Sequence, residues 1–326
     1  MINLLRKITH KINSYKKQYR EDLRFSSKLA RYRLFSDVLH RLRFRKTAKK
    51  FKIKYENWLK KFIADKLKAV VEKYKSDDCL GEFSQEAPVW VCWWTGVDTA
   101  PALVKQCINS ICKNCGKHTV YMITKDNYFD YIDVPDYMLQ KSEAGNMKLA
   151  HLADYIRVSL LEKYGGLWLD ATIFCSSELP EDYFNIPFFT CRSQTQECGY
   201  ISQMRWVTFV LGGWKGNVVY RFLKEVFEQY WKTEDSAVDY LMFDYFIELG
   251  YDRISGIRKC IENVAFNNLH RDDLQAAMNE ALPAGDFDKI IKNDTVLYKL
   301  SWREKYSPTT ADGNKSIYGF FVDTDI

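Results

Sequence analysis

The first 80 residues of this 326-residue chain contain neither glycine nor proline. These are the two residues that most often interrupt regular secondary structure. Proline is scarce in the rest of the chain as well, with 7 in total. The absence of breakers excludes a turn-rich segment at the start of the sequence and predicts helices over residues 1–80.

Long apolar runs are also absent, since none approaches the roughly 20 residues that a transmembrane helix needs. The 9 cysteines form no framework of a small secreted protein, because the chain is large and no signal peptide is recognisable. Cys112 and Cys115 have C-x-x-C spacing, but a second spaced pair for zinc is lacking. We therefore expect a soluble or peripheral cytoplasmic protein whose cysteines are reduced.

Charge is divided unequally along the chain. Residues 1–75 carry 24 Lys and Arg against 6 Asp and Glu, a net charge of +18, whereas the remaining residues carry a net charge of −12. In residues 34–74 apolar side chains recur at helical spacing opposite the basic face, for example Trp58, Phe62, Leu67, Val70 and Val71. Such a segment can lie on an anionic membrane, pack on the main domain as a helical hairpin, or bind nucleic acid. We favour the membrane surface, and no nucleic acid, because no nucleic-acid-reading motif accompanies the charge.

An acidic segment over residues 76–88 marks a boundary, after which strands and helices alternate. Patterning predicts strands over residues 89–94, 118–124 and 167–174, and helices over 101–114, 146–164, 217–232 and 237–249. Pro101 suits the first turn of its helix. This order is typical of a mostly parallel sheet that is flanked by helices.

Asp154 and Arg157 lie three residues apart on the helix over residues 146–164, hence on one face. A glycine pair, Gly165 and Gly166, ends that helix because glycine adopts backbone conformations that other residues avoid. The chain then enters the next strand at once. Asp154 and Arg157 could form a plain structural ion pair, or they could face the ligand-binding edge of the sheet.

One carboxylate, Asp170, interrupts the otherwise apolar strand "GLWLDATIF". Alternation places Trp168, Asp170 and Thr172 on one face of that strand. A lone charge in an apolar run costs several kcal/mol unless it is paired, hydrogen-bonded or coordinated. Asp170 is therefore either a ligand-binding group at the end of the strand or a cap for the following turn.

These motifs carry a family resemblance. The stretches "YGGLWLDATIF", "ADYIRVSLLEKYGG" and "WVCWWTGVDTAP" resemble those of bacterial capsular-polysaccharide-synthesis glycosyltransferases. Those enzymes are relatives of glycosyltransferase family 32, which has a DXD-containing sugar-binding region. The stretches "YISQMRW", "GGWKGN", "DYLMFDY" and "YKLSW" follow in the expected order, and the resemblance runs from about residue 88 to the C-terminus.

The resemblance implies a GT-A-like, Rossmann-like α/β catalytic domain over residues 86–326. It does not cover residues 1–80, for which composition and periodicity predict a basic helical extension. It also implies the site residues. Asp170, Asp154 and Arg157 would be catalytic. The residues implied to bind the donor are Trp94, Asn127, Gly166, Thr172, Lys299, Ser301 and Trp302. Those implied on the acceptor side are Asp239 and Asp244.

The resemblance further implies Mn²⁺ or Mg²⁺ held by Asp170, the first aspartate of the DXD motif. This sequence reads Asp170-Ala171-Thr172, so the second aspartate of the motif is a threonine. A threonine hydroxyl is a weak ligand for these cations, which prefer charged oxygen donors. With a weak or absent metal, Lys299 and Arg157 would carry more of the charge of the donor diphosphate.

We therefore predict a glycosyltransferase of capsular or surface polysaccharide synthesis. It would move a hexose from a nucleotide diphosphate sugar, with a UDP-hexose expected, to a lipid-linked oligosaccharide. The family implies retention of the anomeric configuration, and the basic extension implies a peripheral position at the inner face of the plasma membrane. The alternative is a non-catalytic sugar-binding or scaffold component of a polysaccharide assembly complex.

Overall fold

The computed structural model describes residues 2–194, 200–283 and 287–324. The breaker-free region forms helices, as predicted: α1 (Ile2–Leu23), α2 (Ser27–Arg41), α3 (Arg45–Lys66) and α4 (Lys68–Tyr74). Ser26 caps α2, because its hydroxyl accepts a hydrogen bond from the Lys28 backbone N–H at 3.1 Å.

The rest of the chain alternates between strands and helices. In order these are β1 (Val89–Cys92), α5 (Ala102–Asn114), β2 (Val120–Ile123), α6 (Asp136–Glu143), α7 (Leu149–Tyr164), β3 (Gly166–Asp170), β4 (Ile173–Cys175), β5 (Phe188–Thr190), β6 (Val210–Gly213), α8 (Val218–Thr233), α9 (Met242–Arg253), α10 (Ser255–Glu262), α11 (Asp273–Ala277), β7 (Leu297–Lys299) and α12 (Ile317–Asp323).

Five of these strands form the central sheet, in the order β2-β1-β3-β6-β5. Strand β1 pairs in parallel with β2 and β3, whereas β6 pairs antiparallel with β3 and β5. Strand β6 therefore runs against the other four described strands of the sheet. The mostly parallel α/β architecture flanked by helices is confirmed.

The strand predicted over residues 167–174 is in fact two strands. The chain turns at Ala171 and Thr172, and β4 then pairs antiparallel with β7 in a separate two-stranded sheet. Asp170 consequently ends β3 instead of lying in the middle of a strand. The turn brings β7, which ends at Lys299, next to the segment that follows Asp170.

The glycine pair fixes how α7 joins the sheet. Gly165 and Gly166 have φ angles of +69° and +94°, in the region that favours glycine. A Cβ atom at Gly166 would collide with the Pro88 carbonyl oxygen, so only glycine allows β3 to start beside the chain that leads into β1.

The basic N-terminal helices pack with one face on the α/β body formed by the rest of the chain, with α3 against α9 and α4 against α8. Leu59, Ile63 and Leu67 are buried there. Lys60 pairs with Glu248 of α9 at 2.6 Å. Part of the positive charge of residues 1–75 is thus neutralised by the acidic body, as the packed-hairpin interpretation predicts. The membrane interpretation concerns the other face and stays a prediction, as does the division into domains at residues 80 and 86.

The expectation that all cysteines are reduced is wrong for one pair. Cys79 and Cys260 form a disulfide whose Cα atoms are 5.4 Å apart, across a sequence separation of 181 residues. This bond ties the segment after α4 to α10. Cys92, Cys107, Cys112, Cys115, Cys175 and Cys191 are free, and Cys198 lies outside the described residues. No helix in residues 2–194, 200–283 or 287–324 is long and apolar enough to span a bilayer.

Candidate active site

Asp170 is held between two cations at the end of β3. Its Oδ1 accepts hydrogen bonds from Arg157 Nη2 at 3.1 Å and from Trp168 Nε1 at 3.0 Å. Its Oδ2 accepts one from Lys299 Nζ at 2.9 Å. The cost of placing a carboxylate at the end of an apolar strand is therefore offset by two ion pairs and an indole N–H.

Arg157 is fixed in place by α7, by the chain before β6 and by β3. Its Nη1 donates to the Thr208 carbonyl oxygen at 2.6 Å and lies 3.4 Å from Asp154 Oδ1. The guanidinium also stacks over the Trp168 ring, 4.8 Å from the ring centre. Because its side chain is 8% exposed, Arg157 presents its charge to the site with little conformational freedom.

The charge of Asp170 is stabilised by these neighbours. Burial by itself would raise the pKa of its carboxyl group. The positive charges of Lys299 and Arg157, together with hydrogen bonds from Trp168 and Lys299, outweigh burial and hold the pKa below its ordinary value of 3.8. Asp170 is therefore an anion at neutral pH.

Lys299 joins the two polar residues of the Asp170-Ala171-Thr172 turn. Its Nζ donates to Thr172 Oγ1 at 2.8 Å as well as to Asp170, and it lies 4.8 Å from the centre of the Phe209 ring. The backbone N–H of Leu300 donates to the Thr172 carbonyl oxygen at 2.9 Å, which holds the end of β7 against this turn. The ammonium group thus bridges the first and third positions of the DXD-like motif.

This donor set does not fit Mn²⁺ or Mg²⁺. Such a cation would need several charged oxygens, but the turn offers one carboxylate and one hydroxyl. Asp170 Oδ1 already pairs with Arg157, and Asp170 Oδ2 already pairs with Lys299. The Thr172 hydroxyl oxygen accepts a hydrogen bond from the same Lys299 Nζ. Across the described ranges, no group of three or more His, Cys, Asp or Glu side chains is placed to hold a metal.

Aromatic rings lie around the C-terminal end of β1. Trp94 stacks on Tyr128, with ring centres 5.5 Å apart and an interplanar angle of 23°. Trp93 meets Trp302 edge to face at 5.9 Å, and the Trp302 side chain is 43% exposed. Trp94 and Trp302, both expected to bind the donor, therefore both lie near the C-terminal end of β1. Flat apolar faces of this kind suit a nucleotide base or a sugar ring.

Two other residues assigned to donor binding make local contacts. The Asn127 side chain accepts a hydrogen bond from the Thr124 backbone N–H at 2.7 Å and donates to the Met122 carbonyl oxygen at 2.8 Å. It thereby shapes the loop that carries Tyr128. Ser301 Oγ accepts a hydrogen bond from the Arg303 backbone N–H at 3.3 Å, in the loop after β7.

Gly166 is not brought to this edge. It begins β3, whereas Asp170 ends that strand, and it packs against Pro88. Its position explains how the backbone of β3 can approach that of Pro88 so closely. It also puts Gly166 four residues along the strand, roughly 13 Å, from Asp170.

The two acceptor-side residues are separated. Asp244, on α9, accepts a hydrogen bond from Trp206 Nε1 at 3.0 Å. Burial raises the pKa of Asp244 to about 6, and the hydrogen bond from Trp206 opposes that rise. The ring of the preceding residue, Phe243, has its centre 5.7 Å from the Arg157 guanidinium. Asp239 precedes α9, which begins later than predicted, and accepts hydrogen bonds from Arg33 of α2 at 2.6 Å and from the Tyr55 hydroxyl of α3.

Sequence reasoning missed several contributors to the site. Thr208 acts through its backbone carbonyl, so its side chain gives no signal. Trp93 and Trp206 are buried or half-buried tryptophans whose roles depend on tertiary packing. The neighbouring tryptophans in "CWW" were a signal for Trp93, because two successive rings at a strand outlet point to opposite sides.

The chain is similar to one described protein family and, more distantly, to solved structures. The family model described as "Capsular polysaccharide synthesis protein" matches residues 40–320. No curated protein gives a significant match. Two solved structures show partial likeness. "PaToxG Glycosyltransferase" is 14% identical over 65% of this chain and 83% of that one, with a TM-score of 0.40. "WbbM bifunctional glycosytransferase apo structure" is 12% identical over 75% of this chain and 50% of that one, with a TM-score of 0.37.

The family match begins within α2, earlier than the resemblance that starts near residue 88, and so includes α3 and α4. The finer relation to glycosyltransferase family 32 stays a prediction. A match over residues 40–320 covers most of the sequence. The chain belongs to the capsular polysaccharide synthesis family.

Proposed function

We propose that this protein is a glycosyltransferase that moves a hexose from a nucleotide diphosphate sugar, a UDP-hexose, to a lipid-linked oligosaccharide during capsular polysaccharide synthesis. One observation carries the proposal. Asp170 is held between Arg157 and Lys299 at the end of β3, the edge at which open α/β sheets bind ligands. Membership of the capsular polysaccharide synthesis family supports a role in polysaccharide synthesis.

The two cations suit a departing nucleoside diphosphate. Bond cleavage between the anomeric carbon and the phosphate oxygen leaves negative charge on the diphosphate, and preorganised positive groups stabilise that charge. Arg157 and Lys299 are already fixed by hydrogen bonds, so little reorganisation is needed. Trp94 and Tyr128 would stack on the base.

Retention of configuration is best served by attack on the face that the diphosphate leaves. The acceptor oxygen bonds to the anomeric carbon, the bond to the phosphate breaks, and the acceptor proton passes to the departing phosphate oxygen. Asp154 and Asp170 both hold Arg157, so we assign neither of them as a covalent nucleophile. They orient the cation that faces the donor.

Lys299 takes the place of Mn²⁺ or Mg²⁺ in this proposal. Its ammonium group bridges Asp170 and Thr172, the two ends of the motif that would otherwise hold the cation. The ammonium group of a lysine is a compact positive charge, and its hydrogen bonds to Asp170 and Thr172 hold it in place before the bond to the phosphate breaks.

Membrane contact is assigned to the turn between α2 and α3. Leu42 and Phe44 are 60% and 61% exposed there. Arg41, Arg43 and Arg45 flank them and are exposed. Apolar side chains within an arginine cluster are typical of a segment that inserts shallowly into an anionic bilayer. We propose a peripheral position at the inner face of the plasma membrane.

The test is a screen of nucleotide sugars for release of nucleoside diphosphate by the purified protein, with and without Mn²⁺. We expect release from at least one UDP-hexose, and a loss of about 100-fold or more with Arg157→Ala. If no nucleotide sugar is hydrolysed or bound, the transferase proposal is refuted and a non-catalytic role in polysaccharide assembly replaces it.

A further inference from the structure

A cavity of about 560 Å³ lies where α1, α2 and α3 meet the α/β body, beside the start of α7 and the loop before α9. That volume is within the range of about 300–1,000 Å³ that is usual for ligand sites. We call it the helical cavity and describe it by six of its lining residues: Arg24, Ser36, Asp37, Asn146, His151 and Tyr240.

The wall of the cavity is tied together by Asp239. Arg33 of α2 bridges Asp239 and Asp22 of α1, with N···O distances of 2.6 Å and 2.8 Å. The Tyr55 hydroxyl of α3 donates to the same Asp239 carboxylate. Three N-terminal helices are thereby fixed against the loop before α9, so the cavity is a property of the assembled fold.

The chemistry of the lining favours a neutral, hydroxyl-rich ligand. Side chains of both charge signs lie beside amide and hydroxyl groups, for example Arg24, Asp37, Asn146 and Ser36. Such a mixture can both donate to and accept from vicinal hydroxyls, whereas a phosphate site would be predominantly basic. Tyr240 is 61% exposed and supplies an aromatic face, on which the apolar side of a sugar ring can pack.

His151 links the cavity to the proposed active site. Its side chain lines the cavity, its residue is 1% exposed, and neither ring nitrogen has a hydrogen-bond partner among the described residues. A buried polar group without a partner is destabilising, and a hydroxyl of a bound ligand would supply the missing hydrogen bond. His151 Nδ1 also lies 3.8 Å from Asp154 Oδ2, and Asp154 contacts Arg157.

We infer that the helical cavity binds the saccharide chain of the acceptor, with hexose units contacting His151 and Tyr240. This inference rests on the proposed function, because it makes the cavity the acceptor subsite of the same reaction. His151 contacts Asp154, Asp154 contacts Arg157, and Arg157 contacts Asp170. The cavity therefore lies beside the residues that we assign to the donor. The N-terminal helices then form part of the substrate site as well as a packing element.

The test fills the cavity and measures saccharide binding separately from donor turnover. Ser36→Trp on α2 places a bulky ring in the cavity, and Arg31→Trp places the same ring on an exposed position of the same helix that does not line it. Saturation-transfer NMR with maltotriose and cellotriose reports binding, and UDP release from the UDP-hexose used by the wild type reports donor turnover.

We expect Arg31→Trp to bind the saccharides and release UDP as the wild type does, and Ser36→Trp to bind the saccharides about tenfold more weakly or worse. Tyr240→Ala, at a residue that is 61% exposed, should also weaken binding. Wild-type binding of neither saccharide, or equal binding by Ser36→Trp and the wild type, would overturn the inference. Absence of UDP release together with cavity-dependent saccharide binding would refute the transferase proposal and still support the saccharide site.

Discussion

Replacing Lys299 with methionine removes the cation that bridges the Asp170-Ala171-Thr172 turn while keeping most of the side-chain volume. Its Nζ lies 2.9 Å from Asp170 Oδ2 and 2.8 Å from Thr172 Oγ1. The variant leaves Asp170 with Arg157 and Trp168 as partners. We expect UDP release to fall strongly and the fold to persist.

The magnitudes follow from the exposure and the role of the ammonium group. Loss of one preorganised group that stabilises developing negative charge costs about 2.7–4 kcal/mol, or roughly 100- to 1,000-fold in kcat. The effect on stability is smaller, about 1 kcal/mol, because Lys299 and Asp170 are 26% and 27% exposed and solvent screens the pair. Catalysis should therefore suffer far more than folding.

The assay is UDP release at saturating donor, together with the melting temperature of each protein. Lys75→Met is the matched control, because Lys75 is an exposed lysine that pairs with Glu72 at 3.2 Å on the N-terminal helices. It should release UDP at the wild-type rate. A Lys299→Met protein whose kcat stays within about threefold of the wild type would show that Lys299 does not face the diphosphate, and would refute the reasoning.

Four further predictions concern metal, pH, redox state and membrane. Wild-type UDP release should survive EDTA, because Lys299 occupies the place of the cation. Burial raises the pKa of Asp244 from 3.8 to about 6, so its contribution to stability is full below pH 3.8 and is lost as the pH rises through 6. Asp244→Asn should therefore flatten the melting-temperature profile between about pH 4 and pH 6. Reducing the Cys79–Cys260 bond should lower the free energy of unfolding by about 2–4 kcal/mol. The double variant Leu42→Ser and Phe44→Ser should lose binding to anionic vesicles.

Each of these predictions has a contradicting result. A tenfold loss of UDP release in EDTA that Mn²⁺ restores would return the metal to the site. An Asp244→Asn profile parallel to that of the wild type would contradict the raised pKa. Equal denaturation midpoints with and without reductant, with Cys112→Ser as the control for an exposed free thiol, would contradict the stabilising disulfide. Unchanged vesicle binding by the double variant would move the membrane contact elsewhere.

The parts of the fold that local patterns govern could be predicted from the sequence. Asp154 and Arg157 share a helix face because of their spacing. The glycine pair ends that helix, so that the strand ending at Asp170 begins directly after it. Helices α5, α7 and α8 follow from apolar periodicity and from Pro101. These features depend on neighbours within a few residues.

The rest depends on contacts between distant residues, which no local pattern encodes. The turn at Ala171 sends the chain into a second sheet because β7, more than 120 residues later, pairs with β4. Arg33 donates a hydrogen bond to Asp239 across a separation of 206 residues. Asp239, which was expected on the acceptor side, therefore holds the wall of the helical cavity together. The Cys79–Cys260 bond spans 181 residues.

The most direct measurement compares UDP release by the wild type and by Asp170→Asn at saturating UDP-hexose, with melting temperatures to show that both are folded. Asparagine keeps the size of the side chain but removes the charge that holds Arg157 and Lys299. The account predicts a folded Asp170→Asn protein whose turnover falls at least about 100-fold. A folded Asp170→Asn protein with wild-type turnover would contradict it, because the cluster at the end of β3 would then not be the donor site.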